Sequence, residues 1–223
     1  MKLIDRLKKD RETLDTLKTR KDKLIFLWDY YKVPIISIIL VLLIGSYSLI
    51  SSLTKKPVIL YAVLLNSDSQ IVEVESNVFI DELSKAGIDT EGKEVDINDY
   101  LTLGMDNKES EDIETLQVLN ALFTITDLDV FVGYKEDFDQ FKDKDAFCDL
   151  SLLIDKQLLD KHSDDLYKYE DSSGKQIVGG IILHENSPLH KARYYHSDVI
   201  IGVASNSVYM DNALAFIRQL LTD

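Results

Sequence analysis

An α/β fold, with one transmembrane helix ahead of a largely parallel sheet sandwiched by helices, is what this sequence predicts, and three observations predict it. Val33 to Thr54 (VPIISIILVLLIGSYSLISSLT) runs twenty-two residues without a charge. At about 1.5 Å per residue it would form a helix of roughly 33 Å, enough for a hydrocarbon core of about 30 Å. Beyond it, near-continuous apolar runs such as Val58 to Leu65 (VILYAVLL) and Asp129 to Tyr134 (DVFVGY) have the length of strands buried on both faces. Between those runs lie segments with apolar residues at helical spacing, and strands alternating with helices imply a sheet covered on both sides.

Met1 to Tyr31 reads as a helix with an apolar stripe of Leu3, Leu7, Leu14, Leu17, Leu24, Trp28 and Tyr31, interrupted at Asp10 and Lys21. Its lysine-rich surface suits docking on an anionic membrane face better than a coiled coil. Trp28, Tyr30, Tyr31 and Lys32 occupy the place of an interfacial anchor, and Pro34 falls in the first turn of the expected span, where its missing N–H is not needed. Lys55-Lys56-Pro57 is a short tether, placing the following domain close to the membrane. Val58 to Leu65 is then the first strand, Val72 to Lys85 a helix ending at Ala86-Gly87, and Val95 to Leu103 a second strand. Ser110 to Phe123 reads as a helix, Asp129 to Tyr134 as a strand, and Lys135 to Phe141 as a short polar helix. Phe147 to Ile154 and a helix over Asp155 to His162 follow. Tyr167 to Tyr169, the turn Asp171-Ser172-Ser173-Gly174 and Gln176 to Leu183 form a hairpin. Asp198 to Ala204 is the last strand, and Tyr209 to Leu221 a helix with Ala213, Phe216, Ile217 and Leu220 inward.

Charge divides the chain as hydropathy does. Met1 to Lys32 holds ten Lys/Arg against six Asp/Glu, net +4, whereas Lys55 to Asp223 holds fifteen against thirty-three, net −18. Basic residues ahead of a first span are retained in the cytoplasm, so the expected arrangement is a bacterial cell-membrane protein with a cytoplasmic N-terminus. Three segments follow: 1–32 a cytoplasmic basic amphipathic helix, 33–54 an uncleaved signal anchor, and 55–223 an extracytoplasmic α/β domain. The acidic domain disfavours nucleic acid as a partner. The only cysteine, Cys148, allows no internal disulfide.

Three stretches carry a family resemblance. Ala121 to Phe138 (ALFTITDLDVFVGYKEDF), Phe141 to Asp155 (FKDKDAFCDLSLLID) and Asp198 to Leu221 (DVIIGVASNSVYMDNALAFIRQLL) resemble segments of the solute-binding proteins of bacterial uptake systems. The Trp28–Lys32 motif ahead of the apolar run is also similar to that of small single-pass membrane proteins of Gram-positive bacteria. The resemblance implies one α/β lobe, a second lobe reduced to the hairpin and helix near Lys156 to Leu183, and a solute as ligand.

The residues with catalytic or metal-binding potential do not assemble into a recognisable motif. His184, His190 and His196 lie in HENSPLHKARYYH, where His-Glu-x-x-His spacing is absent and Pro188 interrupts a helix, so no metal and no cofactor is expected. Gly179-Gly180 lacks the lysine of a phosphate loop, and no serine sits in a Gly-x-Ser-x-Gly elbow. An open α/β sheet places ligands beyond the carboxyl ends of its strands, which nominates Asn66, Ser67 and Asp68 after the first strand, Tyr134 after the third and Asn206 after the last. The expected protein is a non-enzymatic, membrane-anchored binding module of solute-binding type. Its candidate partners are the lipid bilayer, a membrane transporter or other membrane protein, and a small solute. The alternative is a structural or regulatory subunit of a membrane complex with no small ligand.

Overall fold

The computed structural model describes residues 16, 19–74, 78–104, 109–125 and 128–222. The chain divides into two compact units, Met1–Lys55 and Lys56–Asp223. Most of the expected amphipathic helix over Met1 to Tyr31 lies outside the described residues.

In the first unit, α1 (Arg20–Thr54) is a continuous helix of 35 residues with Pro34 inside it. Among the described residues, no helix is long and apolar enough to cross a membrane. This corrects the expected transmembrane helix at Val33 to Thr54.

The second unit is built on a six-stranded sheet among the described residues. Its elements in order are β1 (Val58–Leu64), α2 (Val78–Lys85), β2 (Glu94–Asn98), α3 (Glu109–Ile125), β3 (Val130–Gly133), α4 (Lys135–Asp139), α5 (Lys156–Lys161), β4 (Leu166–Glu170), β5 (Gln176–Leu183), α6 (Pro188–Lys191), β6 (Val199–Val203) and α7 (Met210–Leu220). The strand order is β2-β1-β3-β6-β5-β4. β1 pairs in parallel with β2 and β3, through helical crossovers. β6 runs antiparallel to both β3 and β5, and β5 antiparallel to β4. The sheet is therefore mixed, which corrects the expected largely parallel sheet. Its parallel half comes from two β-helix-β connections, whereas a tight hairpin and the short 184–198 connection each reverse the chain. The hairpin continues this same sheet and does not form a second lobe.

Alternating side chains of β1, β3 and β6 feed two cores. On one face Leu60, Leu64, Val132 and Ile201 pack beneath α2 and α7, whose Phe79 and Phe216 rings stack at 4.6 Å. On the other, Val63 and Phe131 meet α3 and an aromatic slab of Phe138, Phe141, Phe147, Tyr167 and Tyr169. Phe138 and Phe147 stack at 4.5 Å.

The glycines of the sheet make room for that slab. A Cβ on Gly202 would lie 2.7 Å from the Gly179 carbonyl oxygen and 2.9 Å from the Phe138 ring. Gly179-Gly180 plays the same part in β5, where the Tyr169 ring covers Gly179 and Ile200 touches Gly180. Gly202→Ala is expected to destabilise the domain by about 1–3 kcal/mol through overpacking. In urea unfolding the midpoint should fall with an unchanged slope. An unchanged midpoint would mean the slab tolerates a methyl group there.

Candidate functional site

The ends of β1 and β3 bring together four of the five nominated residues. Asn66 follows β1 with φ 58°, a left-handed conformation that asparagine tolerates better than most residues. Its Oδ1 accepts the Leu103 N–H at 2.7 Å, and its Nδ2 donates to the Asp137 carboxylate at 3.2 and 3.4 Å. Asp137 Oδ2 also accepts the Tyr134 N–H at 2.8 Å, capping α4. Ser67 Oγ donates to the Tyr194 carbonyl at 3.1 Å and accepts the Ser69 N–H at 3.2 Å. The Asp68 N–H donates to that same carbonyl at 2.8 Å, and Asp68 Oδ2 pairs with His196 Nδ1 at 2.7 Å. The Tyr134 ring meets Tyr195 edge-on at 5.8 Å, while the Tyr195 hydroxyl reaches the carbonyls of Leu65 and Val132 at 3.0 and 3.2 Å.

Burial sets the electrostatics of this cluster. It pushes the Asp137 carboxyl up to about 6, although hydrogen bonds from Tyr134 and Asn66 pull the other way. It also raises the Tyr134 hydroxyl, with Ser197 opposing, and holds the fully enclosed Tyr195 well above the usual phenol range. Asn66, Ser67 and Asp68 are all buried, and their polar atoms bond to Asp137, Leu103, Ser69, Tyr194 and His196. The cluster ties the loops after β1 and β3 to the 194–197 segment. Neither of the two clefts described next is lined by any of the four residues.

Asn206 is elsewhere. Because β6 opposes β1 and β3, the residue after it lies at the sheet end where those strands begin, and Asn206 Nδ2 donates to the Leu122 carbonyl at 2.9 Å. The three histidines of the 184–196 segment are likewise separated by their partners. His184 bridges Asp165 at 3.1 Å and Asp198 at 2.9 Å, His190 joins Ser187 and the Ser197 carbonyl, and His196 takes Asp68. Among the described residues, no group of three or more His, Cys, Asp or Glu is placed to hold a metal ion. The Cys148 thiol donates to the Ala204 carbonyl at 3.5 Å, and burial raises its pKa.

The larger cleft, of about 1120 Å³, opens between α2, the end of β5, α6 and the end of α7. Apolar walls come from Val74, Val78, Leu183, Pro188 and Leu220, and polar groups converge from Glu82, Asp165, His162, His184 and Ser187. His162 Nε2 faces the Leu221 carbonyl at 2.9 Å, so that nitrogen carries a proton, and Nδ1 lies 3.4 Å from Asp165. Asp165 and Asp198, in that order of effect, raise the His184 pKa. His190 Nε2 faces a carbonyl at 2.8 Å, so in the neutral ring Nδ1 accepts the Ser187 hydroxyl at 2.7 Å. Glu82 differs from all of these. It is 3 % exposed, its Oε1 accepts Lys85 Nζ at 2.7 Å, and its Oε2 has no hydrogen-bond partner.

A second cleft, of about 850 Å³, lies between α4 and the β4–β5–β6 edge. Asp139 is matched in place, whereas the buried Tyr169 hydroxyl has no hydrogen-bond partner. Asp139 takes the Tyr167 hydroxyl at 2.7 Å, Lys135 at 2.6 Å and Lys142 at 3.6 Å. Burial, and then Asp139, raises the Tyr167 hydroxyl.

Sequence reasoning passed over Glu82, because flanked by Asp81 and Lys85 it has the pattern of a solvated helix face. Comparison with protein-family models, with curated proteins and with solved structures returned no match. Fold and site together define a mixed-sheet α/β domain with an open, mixed-polarity cleft on its α2–α7 face.

Proposed function

We propose that this domain is a binding module for a small solute, seated in the cleft between α2, β5, α6 and α7, and that it does no chemistry on that solute. The observation that carries this is the cleft itself: apolar walls, a few convergent polar groups, and one buried carboxylate oxygen left without a donor. The likeness of three stretches to solute-binding proteins supports the same reading.

Thermal unfolding of the full chain against sugars, amino acids, short peptides and amines tests it. A ligand at 100 times its dissociation constant stabilises the native state by about 2.7 kcal/mol. For a domain of this size that is a rise of roughly 5–10 °C. A chain that melts at one temperature in every class would remove the small-solute reading and leave the complex-subunit alternative. Covalent capture of Ser187 by a fluorophosphonate would remove the non-catalytic part, since the Ser187–His190 pair is the arrangement such a probe reports.

The lipid bilayer is proposed as a second partner. In α1 the side chains of Val33, Val41, Leu42 and Leu43 are each more than 60 % exposed, an apolar surface that lipid or a partner helix would cover. Cell fractionation should place the chain with membranes. Recovery in the soluble fraction without detergent would overturn this.

A further inference from the structure

We propose that the cleft beside Glu82 selects ligands bearing a primary ammonium group on an apolar body, with the Glu82 carboxylate as the anchor; this rests on reading the cleft as a solute site. Glu82 is buried on α2, yet only one of its two oxygens is used. A buried carboxylate oxygen without a donor is costly, and native structures leave few of them. Lys85 does not cover it: that side chain is 54 % exposed and its ammonium bonds Oε1, not Oε2.

The free acceptor defines the chemistry of its partner. A guanidinium binds a carboxylate best through both oxygens, and here Oε1 is taken. An ammonium is a compact point charge that needs only one. The charges around the cleft favour a cation: Asp81, Glu82 and Asp165 face Lys85 and Lys191, net −1 with the histidines neutral. Val78, Leu183, Pro188 and Leu220 line the remainder, so the group behind the ammonium is apolar. An alkylamine and a peptide N-terminus share this chemistry.

Calorimetric titration of the full chain with two matched pairs tests the proposal. The first pair is 1,6-diaminohexane against 1,6-hexanediol, and the second is leucyl-leucine against N-acetyl-leucyl-leucine. In at least one pair the ammonium member should bind about tenfold or more tighter than its partner lacking the ammonium, a difference of about 1.4 kcal/mol. Glu82→Gln, which keeps the volume and removes the charge, should abolish that difference while the far-ultraviolet circular dichroism stays native. A preference within the first pair alone identifies an alkylamine site, and within the second alone a peptide N-terminus site. Equal affinity of both members in both pairs, or an undiminished preference in Glu82→Gln, overturns the proposal. If Glu82→Gln fails to fold, the wild-type comparison within each pair decides. A neutral solute that stabilises the chain while both ammonium probes fail would reject the anchor and leave the cleft as a solute site. Failure of every class would reject both.

Discussion

Asp129→Ala is expected to lower the unfolding free energy of the domain by about 4 kcal/mol, within the range for breaking a buried, hydrogen-bonded charge. Asp129 is fully buried just ahead of β3. Its Oδ2 accepts the Tyr61 N–H of β1 at 2.8 Å, and its Oδ1 accepts the Ser207 hydroxyl at 2.6 Å and the Tyr209 N–H at 2.7 Å. Its backbone also joins both neighbouring strands, donating to the Tyr61 carbonyl at 3.0 Å and accepting the Ala204 N–H at 3.0 Å. One side chain thus extends the ladder of β1 and holds the entry to α7. Alanine leaves two backbone N–H groups without their acceptor, each at a cost of about 1–3 kcal/mol. Asp129→Asn keeps one acceptor oxygen and turns an amide N–H₂ toward a donor, so its loss should fall between alanine and wild type. Urea unfolding followed by circular dichroism measures both. A loss below about 1 kcal/mol for alanine would show that water or a shifted loop satisfies the orphaned donors, and that Asp129 is not the junction described.

How much of this was legible in the sequence depends on the range of the interaction that fixed it. β1, β3 and β6 could be read because both their faces are buried, which leaves an unbroken apolar run wherever the strand sits in the sheet. Their directions could not: a run such as VIIGV is equally apolar whether it runs parallel or antiparallel to its neighbour. That one unknown explains the fate of the strand-end residues. Asn66, Ser67, Asp68 and Tyr134 follow two parallel strands and meet, whereas Asn206 follows the reversed strand and sits at the other end. The hairpin was visible because its turn chemistry is local. Asp129 and Glu82 were not visible, for opposite reasons. The partners of Asp129 lie 68 to 80 positions away, and nothing nearby marks it. Glu82 has a local pattern that points outward, and only the packing of the α2–α7 face turns it into a buried group. The uncharged stretch Val33 to Thr54 shows the converse: a sequence pattern on its own led to a span that the described helix does not supply.

Raising the pH from about 4 to about 6 is expected to weaken the domain by about 2 kcal/mol through Asp137. Burial lifts this carboxyl from 3.8 to about 6 in the folded chain. Between those values the folded state holds a proton that the unfolded state has released, so stability falls as pH rises and levels off above about 6. The other shifted groups act elsewhere on the scale. Asp139 and Asp149 are lowered, so their contribution is lost only as pH falls through their folded values, below 3.8. His184 is raised, so its contribution is present below 6.5 and lost above it. The window between 4 and 6 therefore isolates Asp137. Urea midpoints measured across it should decline in the wild type and stay nearly flat in Asp137→Asn, whatever that variant loses at a single pH. Parallel declines in both proteins would assign the slope to other carboxylates. A flat wild-type profile would mean that the Asn66 and Tyr134 hydrogen bonds offset burial and hold the carboxylate charged throughout.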